Sequence, residues 1–441
     1  MVKIVTFGDI NKSLLFILFM SISNVLNQYI YGFTYIQCFY PMNIYKSLYN
    51  WIIDSEYDNF PHHRVFDPLF SYLGVIIIAF FFLKCKEEYN NVNEIKRESL
   101  NSITGSIHMQ LIYNKNKSYL KGIPQIIFFI FILFLWIAEE NLLLIYVDIF
   151  QDLDFWFFEL IFISIIFSRS FLFKIMSHQK LGMAISILVG SMLKIYSISL
   201  SLGPDSKTFY SKNKALISFV IFYFFLIILR SYVNTQIKTF YDLKYISHRL
   251  LLISYGIAGV VICTLTGIFT SNVSCPENLR DYVCKMGNST LYYDDFDSYY
   301  ESGKNFGVRL IVIVLGMVTF FFHKFFYTLI IKYYTPIHVI FSFPVQFFIE
   351  KTFLLIFTAI FFNEDLFKEN SQLEKFLLDE SGDIASIIGF LIYLEMIELN
   401  FCGFNYNLKK NIVERSKSDY IESVLNEMAI LQDNDDSDDS T

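Results

Sequence analysis

Residues 123–147 read Ile-Pro-Gln-Ile-Ile-Phe-Phe-Ile-Phe-Ile-Leu-Phe-Leu-Trp-Ile-Ala-Glu-Glu-Asn-Leu-Leu-Leu-Ile-Tyr-Val, an apolar run broken by Glu139, Glu140 and Asn141. At 1.5 Å per residue, about 20 helical residues cross the ~30 Å hydrocarbon core of a bilayer. This stretch is long enough to span with some tilt. Comparable runs recur at roughly 13–34, 67–83, 155–173, 181–201, 216–234, 250–270, 306–329, 336–361 and 384–403. Over all 441 residues, 54% are apolar and 17% charged, against about 25% charged in a soluble domain. The expected fold class is all-α, a polytopic membrane protein of ten transmembrane helices.

The same composition excludes other classes. With 8 Pro and 18 Gly, the chain is neither collagenous nor a Pro/Gly-rich disordered polymer. A net charge of −7 with no basic stripe argues against nucleic acid as a partner. Six Cys cannot staple a chain of this length. There is no Walker motif, no Gly-rich phosphate cradle and no H-E-x-x-H metal pair, so neither cofactor nor metal is expected. The expected partners are a small-molecule substrate and the lipid bilayer, with a homodimer as a further candidate.

Lys and Arg set the orientation. With a cytosolic N-terminus, cytosolic segments hold Lys3, Lys12, Lys84, Lys86, Lys96, Arg97, Lys409, Lys410 and others, outnumbering the opposite side roughly two to one. The segment after the third span carries Asp148, Asp152 and Asp154 with no Lys or Arg, and the one from Asn363 to Asp383 is mostly acidic. Both termini are therefore expected in the cytosol, in an endomembrane (Golgi, ER or vacuole) or the plasma membrane. The loop 271–305 agrees. It holds glycosylation acceptors at Asn272 and Asn288 and a candidate disulfide between Cys275 and Cys284, or two free thiols there. Lys12, Leu14 to Met20 and Ser21-Ile-Ser23 also fit a cleaved secretory signal. The apolar stretch resuming through Tyr29 to Ile36 favours a span. After the last span, 404–441 is expected to be a cytosolic tail with an amphipathic stripe (Ile421, Val424, Leu425, Met428, Leu431) and an acidic end.

Ten spans split into five plus five, the second half entering from the opposite face, as in inverted-repeat carriers. The expected repeats are 13–201 and 216–403, after a cytosolic segment 1–12 and joined by a linker at 202–215. Gly182-Met-Ala-Ile-Ser-Ile-Leu-Val-Gly190 stands against Asp383-Ile-Ala-Ser-Ile-Ile-Gly389, with small residues spaced for close helix approach. Phe158-Glu-Leu-Ile-Phe-Ile-Ser164 and Ser177-His-Gln-Lys-Leu-Gly182 resemble span 4, a basic turn and the start of span 5 in the drug/metabolite transporter superfamily. Ile388 to Cys402 is similar in place to that superfamily's tenth span, though Glu395 and Glu398 are more polar than its pattern. The Cys-bearing loop resembles the chloroquine-resistance type. The resemblance implies a ten-helix bundle with a central cavity opening alternately to each side, and no substrate motif carries over.

Ionisable groups inside a bilayer mark function by default. By depth, Glu139, Glu140, Glu159, Lys194 and Arg309 are expected on the lumenal side. Glu350, Lys351 and Glu395 fall near the middle, and Arg169, Arg230, Lys324 and Glu398 toward the cytosol. Glu350 and Lys351 follow Pro344, which loosens its helix. One of them binds a charged group or relays a proton, or both make structural pairs. Glu139 and Glu140 suit proton coupling or reach the interface. Asn24 and Gln28 share a face of the first span. Arg230, Lys324 and Arg309 are expected to snorkel, and Glu395 with Glu398 to serve structure or oligomerisation. The candidate substrate-binding residues are thus Glu350, Lys351, Glu140, Glu159, Asn24 and Gln28. The expected function is secondary transport of a small polar or charged metabolite, not an enzyme. The alternatives are a non-transporting receptor or assembly protein, or a lipid or acyl-transfer enzyme using His323 or His338.

Overall fold

The computed structural model describes residues 2–4, 12–35, 66–83, 123–149, 156–171, 175–193, 196, 214–242, 246–272, 306–361, 370–399, 404–408, 411 and 415. They are mostly helical. The helices are α1 (Lys12–Tyr35), α2 (Phe66–Phe82), α3 (Ile123–Ile149), α4 (Trp156–Phe171), α5 (Ser177–Ile185), α6 (Lys214–Asp242), α7 (His248–Asn272), α8 (Phe306–Tyr333), α9 (Pro336–Ile340), α10 (Ser342–Phe361) and α11 (Asn370–Tyr393). A π-helical turn, Ser186–Gly190, extends α5.

Local chemistry sets several boundaries. Ser247 Oγ accepts the Leu250 amide (3.2 Å) and caps α7. Thr335 precedes Pro336 at the start of α9, where a missing N–H costs nothing. The expected ninth span, 336–361, is broken at Phe341, and Pro344 explains the break. Its ring crowds the carbonyl of Ile340, four residues back, and it cannot donate to it. Ser342 Oγ donates to Val339 O across the break (2.5 Å).

The last helix differs most from expectation. Instead of spanning 384–403, α11 starts at Asn370, in the stretch read as an acidic loop, and stops at Tyr393. Met396 N donates to Leu391 O and Glu395 N to Ile392 O, with Glu395 in the left-handed region (φ 62°). This is the closing geometry that glycine usually provides. The chain then forms β2 (Ile397–Leu399), which pairs antiparallel with β1 (Val2–Ile4), Lys3 opposite Glu398. The described residues are still overwhelmingly helical, as an all-α fold requires, with this one short ribbon added, and Glu395 and Glu398 do not share a helix face. The ribbon also brings the start of the chain beside the segment that follows the last helix.

The contacts between the first five helices and the rest have a regular pattern. With α9 and α10 counted as one broken rod, exchanging each rod with the one five places on maps the contact set onto itself. Contact of α1 with α8 maps to α6 with α3, α2 with α8 to α7 with α3, and α4 with α6 to α10 with α1. The contacts α2–α7, α4–α9 and α5–α11 map to themselves. The α5–α11 contact joins the two small-residue stretches of the sequence. Ser186 Oγ donates to Ser386 O (2.9 Å), and a Cβ on Gly182 or Gly389 would overlap the other's carbonyl oxygen.

Two helices, His248–Phe269 and Ile313–Tyr333, are long and apolar enough to cross a membrane, and Leu14–Asn27 and Pro68–Phe82 are shorter apolar stretches, among the described residues. The outer surface is strongly apolar. Phe81 is 73% exposed and Phe82 76%, with Ile127, Ile221, Leu265, Phe269 and Ile311 also outward. A patch of this extent is unusual for a soluble monomer. Because the Gly182–Gly389 contact is backbone on backbone, Gly182→Val cannot be absorbed by a rotamer change. Overpacking typically costs about 1–3 kcal/mol. Gly182→Val is expected to lower the unfolding temperature clearly, and truncating the exposed Leu188 to Ala to leave it nearly unchanged. Equal effects would contradict the contact.

Candidate functional site

Adjacent residues on a helix point about 100° apart, so Glu139 and Glu140 of α3 reach different neighbours. Glu139 Oε1 accepts from Arg230 Nε of α6 (2.8 Å), and Arg230 Nη1 donates to Glu159 Oε2 of α4 (3.2 Å). Glu140 Oε1 accepts from Lys324 Nζ of α8 (2.6 Å), while its other oxygen accepts the Tyr255 hydroxyl of α7. Phe343, at the start of α10, lies under the Arg230 guanidinium, 5.5 Å to its centroid. One turn after Arg230, Asn234 Oδ1 accepts the Tyr327 hydroxyl (2.5 Å). The amide nitrogen of this fully buried Asn234 has no partner among the described residues. A buried unpaired donor costs about 1–3 kcal/mol, which marks a place where a ligand or water would be welcome.

All three carboxylates come from α3 and α4, and both cations from α6 and α8. Glu139 and Glu159 are 1% exposed and Lys324 6%. Charges this deeply enclosed persist because each faces an opposite one. The expectation that Arg230 and Lys324 snorkel from span ends is overturned, as is their assignment to a different depth from the glutamates. The physical reason is helix length. With α6 running to Asp242 and α8 to Tyr333, Arg230 lies within about one turn of the middle of its helix and Lys324 within about one and a half.

Of the sequence-derived candidates, Glu140 and Glu159 meet in this cluster. Lys351 belongs to a second one, where Nζ donates to Asp383 Oδ2 (2.9 Å) and to Asp379, both of α11. Asp379 and Asp383 lie in the stretch read as a loop, and their i, i+4 spacing was the signal available. Glu350 is half-buried beside Lys351 on α10. Asn24 Nδ2 donates to Gln346 Oε1 of α10 (2.6 Å), joining α1 to the broken rod, and Asn27 accepts from Thr319 of α8 (3.1 Å). Gln28 lies on α1, with its side chain outside the described residues, as is that of Arg309. Asn272 ends α7, exposed, donating to Ile268 O (2.7 Å). Cys275, Cys284, Asn288, Lys194 and the tail beyond residue 415 are outside the described residues. Glu395 is placed not at mid-helix but beside buried His178, Oε1 to Nε2 3.1 Å. His338 Nδ1 is 2.8 Å from Thr335 Oγ1, and His323 Nδ1 3.5 Å from Met20 O.

No protein-family model matches the sequence, and no curated protein or solved structure does either.

Arg230→Met strands two buried carboxylates. Breaking a buried ion pair from one side typically costs about 3–5 kcal/mol, whereas neutralising both sides can be nearly free. Denaturant unfolding of the purified protein is expected to show a large loss for Arg230→Met. Much of it should return when Glu139→Gln and Glu159→Gln are added. A triple variant no better than the single one would contradict the pairing.

Proposed function

We propose that the chain is a secondary-active membrane transporter that moves a small polar or charged metabolite by alternating access, through exchange or proton coupling. In this reading ten transmembrane helices form two inverted five-helix repeats, and the α9–α10 break makes one of them discontinuous. The observation that carries it is the charged seam, with acids from the first five helices facing cations from the rest across a buried interface. Carriers of this type bind substrate where the two repeats meet. A substrate that competes for these ion pairs changes the energy of holding the halves together.

Further features support the reading. Apolar side chains outside and ion pairs inside suit a bundle surrounded by lipid, where intramembrane charges face the interior and pair. The exchange symmetry of the contacts is expected of two repeats related by a pseudo-two-fold axis. The β1–β2 ribbon agrees with an even number of crossings, which puts both ends on one face, and the Lys and Arg excess makes that face cytosolic. The resemblance to the drug/metabolite transporter superfamily points the same way, to an endomembrane or the plasma membrane. A broken helix near a bundle's midplane presents helix ends to a ligand.

The test is counterflow in proteoliposomes loaded in turn with organic cations, amino acids, sugar phosphates and nucleotide sugars. Saturable counterflow of one class is expected, reduced at least about tenfold in folded Glu140→Gln, since an interaction of about 1.4 kcal/mol corresponds to a factor of ten. A folded protein that exchanges none of these classes would point to the receptor or assembly role. An effect of His323 or His338 substitution on lipid products would point to the enzyme.

A further inference from the structure

The Lys324 ammonium sits in an aromatic cage. Its Nζ lies 5.9 Å from the ring centroid of Trp136, 5.6 Å from Tyr255, 5.3 Å from Phe320 and 5.5 Å from Tyr327. Phe320 and Tyr327 accompany Lys324 on α8 through helical spacing. Trp136 and Tyr255 come from α3 and α7, and their rings meet tilted at 42°, centroids 4.3 Å apart. Tyr72 of α2 meets both Tyr255 and Phe320 edge-on. Ring faces around a carboxylate form the arrangement that recognises ammonium ligands. Neutralising Glu140 needs one cation and none of these rings. Arg230 and Lys324 are both committed to carboxylates, so an anionic substrate would have to expel a carboxylate from its partner. A cationic one replaces an ammonium with an ammonium.

We infer that Lys324 is a tethered stand-in for the substrate, which is a small organic monoammonium ion exchanged for one proton at this cage. The inference rests on reading the charged seam as the transport site. On entry, an N–H bond of Lys324 breaks and its proton leaves to water on the open side. The neutral amine withdraws, and the incoming cation takes its place among the rings against Glu140. One positive charge enters and one leaves. On the opposite side the steps reverse, and Lys324 reloads the cage.

Titratable groups surround Lys324 on several elements. Glu140 and Glu139 come from α3 and His323 from α8, the last two within electrostatic reach of the ammonium. Tyr255, Tyr327, Tyr72 and Arg230 ordinarily titrate at about pH 10 or above. Tetramethylammonium, whose charge does not vary with pH, is titrated into the full-length protein in lipid nanodiscs at pH 6.5 and 8.5 (probe conditions chosen about the neutral range). Release of one proton on binding makes affinity rise about tenfold per pH unit. Lys324→Met is expected to bind more tightly with that slope lost, Lys324→Arg to lose binding, and Phe320→Leu to weaken it. His323→Gln should keep the slope. A slope that survives Lys324→Met would assign the proton to a carboxylate and overturn the stand-in role. Equal affinity in Phe320→Leu, or binding of glucose 6-phosphate instead, would overturn the cage. Should Lys324→Met not fold, the wild-type slope together with Lys324→Arg and Phe320→Leu decides. Proteoliposomes separate the two readings. Binding without counterflow sinks transport alone, while counterflow indifferent to Phe320→Leu sinks the cage alone.

Discussion

Arg230 held between Glu139 and Glu159, with Lys324 on Glu140 beside it, is the interaction on which the rest of the architecture depends. In a low-dielectric interior such charges persist only as pairs, and in this cluster each pair joins α3 or α4 to α6 or α8. The helices that carry them must stay in register, which explains why α3, α4, α6, α7 and α8 crowd around one point. In the proposed carrier, a group that competes for Glu140 or Arg230 would shift the balance between joined and parted halves through its differential affinity, the only way a ligand can shift such an equilibrium.

Two further contacts define what surrounds this seam. At α5–α11, backbone meets backbone through Gly182 and Gly389, leaving no compressible side chain between them. At the α9–α10 break, Ser342 Oγ donates to Val339 O, and Ser21 of α1 donates to Ser342 O (3.4 Å). One contact is stiff and the other is interrupted. Phe343, just past the break, touches Arg230. Lys351 lies eight residues further, about 12 Å along α10, and binds α11 through Asp379 and Asp383. The central cluster and the second one are thus linked through a single helix.

Much of the helical layout was legible in the sequence because long apolar runs set helix positions with little help from tertiary structure. The small residues of 182–190 and 383–389 marked helices able to approach closely, since close approach needs residues without bulk, but that these two stretches meet each other is seen only in the structure. The ends were less legible. Polar residues hid the first half of α11, because Asp379 and Asp383 pair there with Lys351, a partner distant in sequence. The stop at Tyr393 depends on Glu395 accepting a left-handed conformation and on pairing with residues 2–4, neither of which hydropathy reports. Glu140 and Glu159 stand out in the sequence as carboxylates within apolar runs. Arg230 and Lys324 were read as peripheral because span ends estimated from apolarity alone fell short of Asp242 and Tyr333. The aromatic cage was invisible for a different reason. In a chain with 50 Phe and 30 Tyr, rings are too common for four of them to stand out until their positions converge on one ammonium.

A bundle that spans a membrane as proposed is inside-out, with lipid against the apolar exterior and a charged seam within. Spin labels at Phe81, Ile127, Phe225 and Leu265, all exposed on α2, α3, α6 and α7, test it most directly. In liposomes, dissolved oxygen is expected to relax these labels much faster than a water-soluble nickel complex does, with the ratio highest near the helix centres. Labels more accessible to the nickel complex than to oxygen would place these faces in water and rule out a membrane-spanning bundle.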